Sequence, residues 1–214
     1  MDYTPQRVVS LQPSASVMLR DLGKLSALVA CTKYCLDVCP EIHRGRVAIV
    51  ADSWTAHAAE IAQFKPDLVI ASVPYQEKAL AEIMKGGARF LGLTPKSLAD
   101  IYTDIAVIAG VMNAVVEGSR IIRRMQDEIS GMRARTNALP RPRVFCEEWG
   151  KPLIASQQWV AELVDGAGGE FIGTPGSDYY IRVFGRYTFE RNLRAWCPDE
   201  FPSGTIHQLS NPVL

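Results

Sequence analysis

Residues 31–43, CTKYCLDVCPEIH, set Cys31, Cys35 and Cys39 four apart, with His43 four further on. Thiolates and an imidazole are zinc and iron–sulfur ligands, so the run first suggests a metal centre. A spacing of four puts the sulfurs on one stripe only in a helix. Leu28-Val-Ala-Cys31 reads instead as a strand, and Val38-Cys39-Pro40 disfavours helix before the proline, so a non-helical loop is expected. The intervals also miss the short C-x2-C pairs of zinc and iron–sulfur sites. No metal ligand set is therefore assigned, and Cys31 and Cys39 read as small buried thiols flanking a loop. A cysteine-based metal protein using the thiols and His43 remains the alternative.

Catalysis has little to work with. His43, His57 and His207 are the only histidines, and none sits in a motif. The sequence carries no Gly-rich phosphate loop, no nucleophile elbow and no plausible Ser-His-Asp set, which favours a binding protein over an enzyme. Trp54, in Ala51-Asp-Ser-Trp-Thr55 between a strand and a helix, is placed to cap a cleft or to pack under its own loop. Pro13 and Ser14 follow the first strand, where α/β folds place ligands, and Ser14 serves equally well as a helix cap. Trp159, in a Trp-Val-x-x-Leu-Val helix, reads as core.

The elements that must hold these residues alternate. Residues 7–11, 28–31, 47–50, 67–72 and 90–93 read as strands; 57–64 and 77–85, and the segment from Ser14 or Ser16 to Leu22, read as helices. Strands separated by single helices imply a mostly parallel sheet. From Ser97 to Leu139 apolar residues recur at helical spacing, predicting a shorter helix and then a long one from about residue 114 to 139. Pro140 and Pro142 stop it, after which 143–149 reads as one strand, 150–152 as a turn, and a helix runs through 157–164. The fold class is α/β, in two lobes: 1–96, a helical linker at 97–140, and 141–214. A single continuous sheet with the long helix packed on it is the other arrangement.

Composition agrees with a globular chain. Of 214 residues, 48% are hydrophobic and 21% charged, so a sizeable core is available. Twenty-three basic and 23 acidic side chains cancel, which argues against nucleic acid or an anionic membrane surface as partner. No apolar run approaches the roughly 20 residues of a membrane span, so no insertion is expected. The start MDYTPQRVVSLQP lacks a basic head and an apolar stretch, so the chain as written is expected in the cytoplasm; a longer precursor would place it in the periplasm or at the cell surface. Five cysteines, an odd number, fit reduced thiols.

Three blocks carry a family likeness: RVVSLQPSAS with LGKLSALVACTKYC, SWTAHAAEIAQFKPDLVIAS, and RVFCEEWGKPLIASQQWVAELVDGAGGEFIGTPG. From residue 7 to about 175 the chain resembles the cobalamin-binding component of vitamin B12 ABC importers. That group belongs to the substrate-binding proteins whose two Rossmann-like α/β lobes are joined by one long helix; relatives of the same fold carry iron chelates or haem. The resemblance implies cobalamin or another corrinoid as bound ligand, no catalytic cofactor, and an ABC transporter permease as partner. It puts Tyr34 on the loop after the second strand, facing the cleft and offering an aromatic to the corrin ring. A corrin is broad, flat and mainly apolar with amide arms, so Tyr34, Trp54 and Trp149 suit its faces, with Pro13 and Ser14 alongside. It also implies that Glu60, six residues after Trp54, meets arginines of the permease. An exposed helix glutamate is the plain alternative. After Gly176 the text departs from the family, so the second lobe is expected to be incomplete, with an atypical tail from about residue 177. A truncated or frame-shifted reading of a longer relative, or a lineage-specific tail, would account for it.

Overall fold

The computed structural model describes residues 3–42, 45–51, 57–72, 77–150 and 153–173. The chain divides into two compact units. Among the described residues the first holds the chain up to Pro95 and Asp100–Arg123, the second Lys96–Ala99 and the chain from Arg124 to Gly173. The atypical tail lies outside the described residues.

In the first unit β1 (Val8–Ser10), α1 (Pro13–Asp21), β2 (Leu28–Thr32), α2 (Lys33–Val38), β3 (Ala48–Val50), α3 (Ala58–Ala62), β4 (Leu68–Ser72), α4 (Glu77–Lys85) and β5 (Arg89–Leu93) follow in turn. The strands form one parallel sheet in the order β3-β2-β1-β4-β5. A parallel sheet is covered on both faces, which is why β1, β2 and β4 are built from near-continuous apolar runs. Alternate residues then divide between two layers. Val8, Cys31, Leu68 and Ile70 pack with Ala15 and Leu19 of α1 and Cys35 of α2, whereas Val9, Ala30, Val69 and Ala71 pack with Ile61 of α3 and Ile83 of α4.

The amino edge of this sheet is fastened by polar contacts. Asp67 accepts the Gln6 amide at 2.8 Å and the Arg7 amide at 2.9 Å. The Arg7 guanidinium donates to the Phe64 carbonyl at 2.6 and 2.9 Å and to the Lys65 carbonyl at 3.2 Å. Those carbonyls lie in the turn just past α3, where Lys65 turns the chain at φ 45°, so the arginine gives partners to backbone acceptors of the turn.

Two helices follow, α5 (Leu98–Val111) and α6 (Val115–Thr136). Asn113, at φ 51°, makes the break between them, one residue before the expected start of the long helix. Gly118 of α6 is buried against Ala109 of α5, and an added Cβ would lie 2.4 Å from the alanine's own, so the helices meet where only glycine fits. With 22 residues α6 is about 33 Å long at 1.5 Å per residue, and it contributes to both units. Among the described residues no helix is long and apolar enough to cross a membrane.

The second unit contains β6 (Arg143–Val144), β7 (Glu147–Gly150), β8 (Leu153–Ala155), α7 (Gln158–Gly166) and β9 (Glu170–Phe171). The single strand expected over 143–149 is two. β6 pairs in parallel with β9, and β7 pairs antiparallel with β8. Between them the Cys146 carbonyl accepts the Ser156 amide at 3.0 Å, drawing the chain out of one ladder and into a hairpin. Trp159, expected in the core, is only half-buried: it stands in the first turn of α7, where its amide donates to the Lys96 carbonyl at 3.0 Å. Arg141 and Arg133 reach Asp165 at 2.6 and 3.0 Å, and Arg141 foremost holds that carboxyl below the usual aspartate range. Arg141 also donates to the Gly169 carbonyl at 2.6 Å, tying the end of α7 to the segment before β6.

Candidate ligand-binding site

In the order β3-β2-β1-β4-β5 the chain steps from β1 outward to one side and then returns to the other, so the topological switch lies between β1 and β4. Open parallel sheets bind ligands at the carboxyl ends of the strands beside such a switch. Pro13, Ser14 and Tyr34 all follow the carboxyl ends of β1 and β2.

α1 begins differently from the expectation. Its N-cap is Gln12, extended at φ −135° with no side-chain capping bond, and Pro13 opens the helix, where its missing N–H costs nothing. Ser14 is therefore no cap; it is the second helical residue and exposed. Ser16 is no cap either. It is buried, and its hydroxyl donates at 2.9 Å to Ser10, whose own hydroxyl donates to the Gln12 carbonyl at 2.9 Å. These bonds fix the turn from β1 into α1. Gln12 Oε1 is buried without a hydrogen-bond partner among the described residues, an acceptor at the switch point that sequence reasoning passed over. Its signal was only its place directly before Pro13.

Tyr34 stands in a helix, not a loop, because β2 runs straight into α2 at Thr32. It is half-buried, and Lys33 Nζ lies 4.9 Å from its ring centroid, so one face of the ring already has a cation over it. Trp54 and His43 lie outside the described residues. Trp149 belongs to the second unit, where its backbone pairs with Ile154 in the β7–β8 hairpin.

Cys31 lies in a strand as expected, but Lys33–Val38 after it is helical, contrary to the expectation drawn from Pro40. Cys31 ends on β2, Cys35 lies in α2, and Cys39 caps it with its amide bonded to the Cys35 carbonyl at 3.0 Å. All three are fully buried in one core layer. Cys35 Sγ lies 3.3 Å from Thr32 Oγ1 and 3.8 Å from the Ser10 carbonyl. Its interaction with the Cys31 thiol, helped by Ser16 and Thr32, outweighs burial and lowers Cys35 to about 6; the same interaction, with burial, pushes Cys31 up. Among the described residues no three His, Cys, Asp or Glu side chains converge as a metal site.

Glu60 is not the exposed helix glutamate of the plain reading. Half-buried in the first turn of α3, it accepts the Ala51 amide at 3.1 Å, closing the connection from β3. Glu60→Ala is expected to cost about 1–2 kcal/mol in urea unfolding, because a backbone donor loses a charged acceptor, while Glu60→Gln keeps most of it. Equal loss in both variants would show that the amide bond is not what matters.

A family model described as periplasmic binding protein matches residues 8–195. The chain belongs to the periplasmic binding protein family. Among curated proteins it is similar to the vitamin B12-binding protein of Vibrio parahaemolyticus, 26% identical over 168 residues, covering 77% of this chain and 60% of that protein. It thus spans about 60% of the length of that relative. Among solved structures, the periplasmic vitamin B12 binding protein of Vibrio cholerae aligns with a TM-score of 0.63 at 20% identity, over 90% of this chain and 82% of the other. A periplasmic heme binding protein from Pseudomonas aeruginosa aligns with a TM-score of 0.69 at 17% identity, over 80% and 64%. At those identities the structural likenesses speak for the fold.

Proposed function

We propose that the chain is a non-catalytic binding protein that holds cobalamin or a related corrinoid over the carboxyl edge of the first unit's sheet. The observation that carries this reading is the 168-residue match to a protein named as vitamin B12-binding. The arrangement of the edge supports it: Tyr34 follows β2, and Pro13 and Ser14 open α1 beside the switch. Trp54 and Trp149 join the ligand set on the strength of the family resemblance. The family's work is import, so the ligand would pass to an ABC transporter permease, with Glu60 a docking contact, and the protein would act in the periplasm or at the cell surface; cell fractionation checks the latter. A haem or iron chelate is the second reading, supported by the likeness to a heme binding protein.

Titration with cyanocobalamin and, separately, with haemin, followed in the visible, separates the two. Saturation at one cyanocobalamin per chain is expected. Saturation by haemin alone would transfer the proposal to haem, and no spectral change with either would end it. Trp54→Ala and Tyr34→Ala are each expected to weaken the favoured ligand by about 1–3 kcal/mol, as the loss of an aromatic anchor does. Calorimetry giving the parent's affinity in either variant removes that residue from the site.

A further inference from the structure

Lys33 is a cation where the local structure has no use for one. It is the first residue of α2, whose opening turn holds no acidic side chain, and the start of a helix favours an anion over a cation. It is exposed, and the ion pairs among the described residues do not include it; Asp37, one turn on, is exposed too and forms none with it. Its contact is with Tyr34, whose ring centroid lies 4.9 Å from Lys33 Nζ. The ammonium therefore stands over an aromatic face at the carboxyl end of β2. Ser10 of β1 is in register with Cys31 of β2, so the chain enters α1 after Gln12 and α2 at Lys33 from neighbouring strands. The two turns that carry the unpartnered Gln12 oxygen and the Lys33 ammonium are thus adjacent at the edge assigned to the ligand.

We infer that Lys33 selects the ligand by charge: it meets an acid group, phosphate or carboxylate, on the rim of the flat ring held beside Tyr34. The inference rests on the corrinoid or haem reading above and deepens it. Cobalamin carries such a group in the phosphodiester of its nucleotide arm, and haem carries it in its propionates. A ring without an acid offers the ammonium nothing beyond the tyrosine face it already has, so the lysine adds nothing to its binding. An acid on the rim gives the ammonium a charge partner, and salt screens that attraction. Selection then works by difference, since both kinds of ring gain the same aromatic contact and only one gains the charge.

The test titrates the full chain with cyanocobalamin and with dicyanocobinamide, the same ring without the phosphodiester, at low and at high salt. Lys33 is exposed, so Lys33→Gln should fold as the parent does. In that variant cyanocobalamin should bind about tenfold more weakly, the usual loss of one charge-assisted contact, and its salt dependence should vanish. Dicyanocobinamide should bind as it does to the parent. Lys33→Arg keeps the charge and should retain the parent's preference for cyanocobalamin. If the parent takes up haemin in place of the corrinoids, haemin and its dimethyl ester form the matching pair, with the same result expected. Equal weakening of both members of a pair would mean that the lysine acts by holding the Tyr34 ring, and no weakening of either would place it away from the ligand. Each of these overturns the inference and leaves the binding reading standing. Uptake of none of these rings by the parent ends that reading and the inference with it.

Discussion

Leu19→Ala should lower the unfolding free energy of the first unit by about 2–5 kcal/mol, the cost of emptying a leucine site in a rigid core. Leu19 is fully buried, on the face of α1 that also carries Ala15 and Ser16. It packs in the layer that includes Val8, Cys31 and Ile70, so the vacated volume borders three strands that cannot close in on it together. Against a total stability of roughly 5–15 kcal/mol this is a large fraction. The shift should appear in the urea midpoint with little change in slope. A loss below about 1 kcal/mol would mean that α1 is not anchored through this residue. Because α1 begins at Pro13 and Ser14, its loosening should also be felt at the carboxyl edge.

Gly168→Val is expected to cost a similar amount, roughly 2–5 kcal/mol, for two separate reasons. Gly168 turns the chain after α7 at φ +87°, a conformation that a β-branched residue enters only under strain, and an added Cβ would stand 2.5 Å from Thr136 Cβ. Thr136 has little freedom to yield, since its hydroxyl donates to the Met132 and Arg133 carbonyls of α6. Gly23 offers the comparison: at φ +70° with nothing within 4 Å, Gly23→Ala should show the conformational cost alone, about 1 kcal/mol. Equal melting shifts for the two variants would mean that the contact with Thr136 contributes nothing.

Much of the first unit was legible because its strands are buried, β-branched runs separated by Gly and Pro breaks, and because α4 begins and ends at Glu77 and Lys85 as the pattern suggests. Strand order was not legible: adjacency of β1 to β4 depends on which crossover packs on which face, and no local pattern encodes that. α2 was hidden because six residues are too few to display a periodic stripe, and Pro40 argued against helix when in fact the helix had ended at Val38. The β7–β8 hairpin was hidden by the break at Phe145–Cys146, which depends on a bond to Ser156 ten residues away. At the candidate site, the positions of Pro13 and Ser14 after β1 followed from strand placement alone. The fixing of the β1–α1 turn by Ser10 and Ser16, the amide held by Glu60 and the unpartnered Gln12 oxygen are three-dimensional pairings, which composition and spacing do not carry.

The Arg7 and Asp67 contacts at the amino edge have an evolutionary corollary. They tie the backbone just before β1 to the Asp67 side chain that precedes β4, and the Arg7 side chain to the turn after α3, without using any residue of the carboxyl-edge loops. Inheritance can therefore act on the two edges separately. Substitutions in the connections at the carboxyl ends of the strands can change what the edge carries while leaving the Arg7 and Asp67 fastening intact. A scaffold so divided lets a lineage change what it carries without first losing the ability to fold.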